Sequence, residues 1–149
     1  MQTYCVVAAV LVALAGLASG QELVSSTCLG CICEASTACN TTLGCTSAGY
    51  CGPFLISRAF FLDSELQQEA NFASYSYESC TSDPFCSAAV IRKYMAKYPR
   101  DCDGDGLRTC SDYAMVHKTG PNSCANNQAA LNSEYWKRFL ACLSFYPNA

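Results

Sequence analysis

A chain of 149 residues with nine Lys and Arg, twelve Asp and Glu and one histidine carries a formal net charge of −3. That balance excludes a strongly basic binder of nucleic acid or of anionic membranes, and the length suits one domain with a real core. Thirteen cysteines make covalent cross-linking the first structural question.

Residues 5–18 form an apolar run interrupted only by Gly16, followed by Ser19-Gly20 and the polar Gln21-Glu22. The run is shorter than the roughly 20 residues of a membrane span and reads as a secretory signal with a small-residue cut site after Gly20. Two segments are expected: a signal peptide over 1–20 and one secreted, extracellular domain over 21–149 that does not insert into membranes. Removing the signal takes Cys5 away and leaves twelve cysteines, an even number that reads as six disulfides in an oxidising compartment. Zinc is disfavoured, because Cys28-x-x-Cys31 has no second ligand pair at matching spacing and the only histidine, His117, is distant.

Six cysteines fall within Cys28–Cys51. Ser25-Ser26-Thr27 offers cap hydroxyls to a helix starting near Cys28, and Cys28, Cys31, Ile32 and Ala35 share one face of it. Asn40-Thr41-Thr42 is an N-glycosylation sequon in a polar turn. Tyr50 to Ile56 reads as a short hairpin with Gly49 and Gly52 at the turns. Asp63-Ser64 is expected to cap a helix through about Asn71, Ser74 to Pro84 to be a surface loop clipped by Cys80 and Cys86, and Ser87 to cap a helix from Ala88 to Tyr98 that ends by Pro99. Thr109-x-x-Asp112 is a capping box opening a helix through His117, stopped at Gly120-Pro121, and the last helix spans Ser133 to Leu143. The fold class is α+β, helix-rich, with a small hairpin or sheet.

Asp101, Asp103 and Asp105, with Gly106 and then Asp112 at the twelfth position, have the spacing of a calcium loop. The competing reading is a polar turn ahead of a capped helix, with Asp112 as the capping acid. No other cofactor is expected.

Several cysteine-anchored motifs stand in one order: Cys28-Leu-Gly-Cys31-Ile-Cys33, Cys51-Gly-Pro-Phe-Leu-Ile, Ala59-Phe-Phe-Leu-Asp63, Thr109-Cys-Ser-Asp-Tyr-Ala-Met-Val-His117, Gly120-Pro-Asn-Ser-Cys124 and Tyr135-Trp136. In these the chain resembles the invertebrate-type lysozymes, also called the destabilase family, from about Thr27 to Cys142. The resemblance implies a helix-rich lysozyme-like domain, with a cleft between a helical part and a small sheet. It implies the pairing Cys28–Cys110, Cys31–Cys142, Cys33–Cys39, Cys45–Cys51, Cys80–Cys86 and Cys102–Cys124. A further bridge of many members falls here on Ser64 and Val90, so both of its partners are absent together.

The implied partner is bacterial cell-wall glycan, met by a monomer, and the implied reaction is hydrolysis of β-1,4 links between N-acetylmuramic acid and N-acetylglucosamine. A protonated glutamic acid and an aspartate carry that reaction in the family. Their positions in this chain are Ser36 and Ala48, and the Cys45–Cys51 loop is shorter than in active members. Glu34 stands two residues before Ser36, which turns its side chain by about 200° on a helix, and Asp63 is the nearest second acid in sequence. Tyr50, Phe54, Phe60 and Trp136 are candidates for stacking on sugar rings, against core packing as their other role. The expected function is a weak or inactive muramidase that keeps glycan binding. The alternatives are a lysozyme with relocated acids, a γ-glutamyl-ε-lysine isopeptidase using Ser47, Ser57 or Ser111 with His117, and a purely structural secreted protein.

Overall fold

A computed structural model of the chain describes residues 22–149, so the segment read as a signal peptide and its cut site lie outside the described residues. Ser25, in extended backbone, accepts the Cys28 N–H at 3.0 Å and starts α1, Ser26–Thr37. That helix ends where Ala38 turns left-handed, at φ 53°. Its buried face carries Cys28, Leu29, Cys31, Ile32, Cys33 and Ala35, close to the expected stripe.

The hairpin pairs β1 (Tyr50–Cys51) antiparallel with β2 (Ile56–Ser57) in the register Tyr50 opposite Ser57 and Cys51 opposite Ile56. Two residues per strand cannot stand alone in water. A buried phenol ties this one down: the Tyr77 hydroxyl lies 2.6 Å from the Ile56 carbonyl and 2.9 Å from that of Gly49.

Three expectations are corrected downstream. The helix near Asp63 ends there instead of starting there: α2 is Arg58–Asp63, capped by Ser57, whose hydroxyl accepts the Phe60 N–H at 3.1 Å. Glu65 then goes left-handed at φ 57°, and only a single 3-10 turn, Leu66–Gln68, follows. The stretch expected to be a loop folds into α3, Tyr77–Ser82, opened by a reciprocal Ser76–Ser79 capping box, with Tyr77, Cys80 and Thr81 buried. The next helix, α4 (Pro84–Lys97), starts a turn before Ser87: Asp83 accepts the Cys86 N–H at 2.7 Å, and proline sits at the first position, where no amide is needed. Ser87 is buried instead and donates to the Asp83 carbonyl at 2.8 Å.

The C-terminal third follows expectation more closely. The capping box opens α5, Cys110–Thr119, which Gly120 ends. A four-residue helix that the sequence reading did not contain, α6 (Gln128–Leu131), precedes α7, Glu134–Leu143, capped by Ser133. The fold is thus α+β and helix-rich, with a two-stranded sheet among the described residues.

Ile32 of α1, Phe61 of α2, Ile91 and Met95 of α4 and Phe139 of α7 are almost wholly buried and join the elements into one core. Each such side chain contributes about 1.5–3 kcal/mol relative to exposure. The six bridges are those the resemblance implies. Ser64 and Val90 are fully buried, so the place of the missing bridge is filled by packing and by the Ser64 hydroxyl donating to the Phe61 carbonyl at 2.6 Å. Among the described residues no helix is long and apolar enough to cross a membrane.

Candidate functional site

The last turn of α1 brings Ala35 and Ser36 to the rim of a cleft of about 450 Å³. The hairpin supplies Tyr50 and Leu55, α5 supplies His117 and Lys118, and α7 supplies Glu134, Tyr135 and Arg138. Ser36 is half-buried, and its hydroxyl donates to the Ile32 carbonyl one turn back at 2.8 Å. Ala48 is exposed in the turn closed by the Gly49 N–H on the Thr46 carbonyl and is not among the residues lining the cleft.

Glu134 is the one carboxylate on that lining. Lys137 bonds it at 2.8 Å, and this hydrogen bond, aided by the Lys137 charge, holds its pKa below the usual glutamate value. A proton donor for a departing sugar oxygen needs the opposite shift. Glu34 is exposed and borders a different groove, about 760 Å³, that opens between α1 and the C-terminal end of α7 beside Phe145 and Tyr146. The larger groove is not the expected site, because Ser36 lies in the smaller cleft. Asp63 lines neither and is engaged elsewhere: Tyr98 donates to it at 2.7 Å and Lys97 at 3.0 Å, and these bonds lower its pKa in that order. Neither fallback acid therefore joins the cleft, and no facing carboxylate pair lines it among the described residues.

Comparison with known proteins bears on what this cleft belongs to. The family model described as Destabilase matches residues 25–142. This chain belongs to the destabilase family. It is similar to Lysozyme 1 of Crassostrea virginica, 31% identical over 123 residues, which covers 80% of this chain and 60% of that protein. It is also similar to Invertebrate-type lysozyme 6 of Caenorhabditis elegans, 30% identical over 129 residues, with 80% of this chain and 88% of the relative covered. Among solved structures, that of Meretrix lusoria lysozyme in complex with Aeromonas hydrophila PliI superposes with a TM-score of 0.62 at 29% identity, covering 80% of this chain and 91% of the other. The chain thus spans 60% of the length of Lysozyme 1.

Within this destabilase domain, the aromatic candidates separate. Tyr50 is 46% exposed and lines the cleft, so its side chain is accessible to a ligand there. Phe54 is 6% exposed and belongs to the core. Phe60 stacks on Tyr94 at 3.7 Å, and Trp136 stacks on Phe139 at 5.1 Å beside a small pocket near Cys102 and Cys124.

His117 packs against Tyr135, whose hydroxyl lies 3.4 Å from Nδ1 and 3.0 Å from the Ala114 carbonyl. Burial lowers its pKa to about 4, against a weaker upward pull from the Phe54 backbone. Because the folded value lies below the ordinary 6.5, the unfolded chain binds the proton first as pH falls. Stability from this group is fully present above about 6.5 and is lost as pH drops toward 4. Ring resonances followed by NMR should stay in the neutral form down to about pH 5; a midpoint near 6.5 would contradict this environment.

The serines offered as nucleophiles do not meet His117 through a hydrogen bond. Ser57 caps α2, Ser111 borders the pocket near Cys102, and Ser47 is exposed in the Cys45–Cys51 loop. The calcium-loop set divides likewise. Asp101, Asp103 and Asp105 bring carboxylate oxygens within 4.8 Å of one another. Asp112 does not join them, because its two oxygens accept the Cys102 N–H and the Thr109 N–H, each at 2.7 Å. Asp101 is held below the usual aspartate value by the Gly106 N–H first, with Gly104 adding to it. Asn40 is exposed, with Thr42 donating to its side-chain oxygen from both backbone and hydroxyl.

Sequence reading missed the basic residues of the cleft, Lys118 and Arg138. A signal was available: Glu134 and Arg138 are four apart on α7, which puts them on one face.

Proposed function

We propose that this destabilase-family chain is a secreted, monomeric protein that binds bacterial cell-wall glycan in the cleft at Ser36 and hydrolyses it weakly or not at all. The observation that carries this reading is the single, ionised Glu134 where a retaining or inverting glycosidase needs two carboxyl groups, one of them protonated. A positioned general acid contributes typically about 10²–10⁴-fold to rate, and Ser36, bonded to its own helix, offers no acidic proton in its stead. The exposed Tyr50 on the cleft lining supports retained sugar binding. Six disulfides and the N-terminal apolar run support passage through an oxidising secretory route.

Co-sedimentation of the purified chain with insoluble peptidoglycan tests this. Binding should be saturable, should weaken on Tyr50→Ala, and should leave the glycan uncut or nearly so. Clearing of cell walls that Glu34→Gln abolishes would overturn the reading in favour of relocated acids.

The isopeptidase alternative has one observation in its favour, since Ser36 and His117 share the cleft. Their hydroxyl and imidazole bond elsewhere, to Ile32 and Tyr135, so no base is aimed at the serine. Release of lysine from a γ-glutamyl-ε-lysine dipeptide would restore it.

A further inference from the structure

We infer that the cleft selects glycans bearing carboxylate groups, which pair with Lys118 and Arg138, over neutral glycans of similar length. The inference rests on the glycan-binding reading above and narrows its ligand. The chain as a whole is acidic, yet its cleft is not. Five of the nine basic residues stand within 4.0 Å of a carboxylate: Arg58, Arg92, Lys93, Lys97 and Lys137. Lys118 and Arg138 have no such partner among the described residues, and both line the cleft from different helices. The one acid there, Glu134, is offset by Lys137 at 2.8 Å, so the surplus charge facing a ligand is positive. Lys118 extends over the Tyr135 ring, 5.4 Å from its centroid, and Tyr135 forms part of the cleft wall.

Arg138 also borders the neighbouring groove of about 760 Å³, so this residue is shared by the two depressions. A planar guanidinium pairs with a carboxylate through two parallel hydrogen bonds, while an ammonium acts as a point charge. The exchange at Ser36 that removes hydrolytic chemistry acts in the same direction. With Ser36 in place of an acid, the cleft lining carries one carboxylate fewer to repel an acidic ligand. Lys118 also lies in the last turn of α5, where a cation complements the helix end, so the test reads ligand choice and not stability alone.

The test measures affinity of the full chain for three oligosaccharides of similar length: a neutral N-acetylglucosamine hexamer, a peptidoglycan fragment with free stem-peptide carboxylates, and an oligogalacturonate. At low salt at least one acidic probe should bind about tenfold tighter than the neutral hexamer, and the advantage should shrink as salt is raised. Lys118→Gln with Arg138→Gln should remove that advantage, while Lys118→Arg with native Arg138 should retain it. Preference for the peptidoglycan fragment alone places the paired acids on stem peptides; preference for the oligogalacturonate alone places them on the sugar ring; either supports the inference. Equal affinity for neutral and acidic probes, or an advantage that survives loss of both cations, overturns the inference and leaves glycan binding standing. No binding of any probe overturns both.

Discussion

Gly52→Ala should destabilise the protein by about 2–5 kcal/mol, the largest effect expected of adding one methyl group to this chain. A Cβ built at Gly52 would stand 1.7 Å from the Thr81 carbonyl oxygen and 2.6 Å from its carbon, both backbone atoms of α3 that no rotamer change can move. The residue is also left-handed, at φ 72°, which adds about 1–2 kcal/mol for any side chain. The hairpin cannot retreat easily, because Gly52 donates to the Gly44 carbonyl at 2.8 Å and the neighbouring Cys51 is bridged to Cys45. Nor can α3, which Cys80–Cys86 ties to α4. Urea titration of the two proteins should show the loss with little change in slope, and a shift of under about 1 kcal/mol would contradict the close approach. Tyr50 lies two residues away, so glycan affinity should fall in the same variant.

Replacing Cys31 and Cys142 together by alanine should cost about 3–5 kcal/mol. The bridge spans 111 residues and joins α1, which carries Ser36, to α7, which carries Glu134 and Arg138. Restraining the unfolded chain over a loop of that length is worth about 4.7 kcal/mol in the chain-entropy model. Cys80–Cys86 spans only 6 residues, for which the same model gives about 2 kcal/mol. Cys31, Cys80 and Cys86 are buried and Cys142 is partly buried, so comparing the two double alanine variants by denaturation weighs loop length against packing lost at similar sites. Equal losses would show that chain entropy is not the main contribution. The long bridge should also matter more for ligand binding, since it holds two walls of the cleft together.

Where a single local signal was sufficient, the sequence could be read. Ser25, the Thr109–Asp112 box and Ser133 each placed a helix start within about two residues, because a side-chain oxygen meeting a free amide is a short-range event. The errors came where two such signals competed. Asp63-Ser64 and Ser57 can both cap, and Ser57 prevails because the Asp63 carboxylate is drawn to Lys97 and Tyr98, 34 and 35 residues on in sequence. Asp83-Pro84 outranks Ser87 in the same manner. The serine-rich stretch holding α3 carries no apolar periodicity, and its burial depends on the distant hairpin that Tyr77 holds.

The pairing of cysteines followed from family likeness and not from spacing, since twelve cysteines in isolation permit thousands of connectivities. The absent acids were legible in the same way, as positions, and α1 accounts for Glu34: two residues of helix send it to the groove beside Phe145 while Ser36 borders the cleft. The cleft's charge was not legible. It depends on which cations lack partners, and that is a property of pairs far apart in the chain, such as Arg92 with Glu22 and Lys97 with Asp63.

The most direct measurement is the release of reducing ends from purified peptidoglycan at a stoichiometric amount of the full chain, in the same tubes in which bound protein is determined by sedimentation. The account predicts bound protein and, from pH 4 to 8, either no release above the protein-free control or release at least about 100-fold slower than a catalytic muramidase gives. Steady release proportional to protein, at a rate that a catalytic muramidase would give, would contradict it.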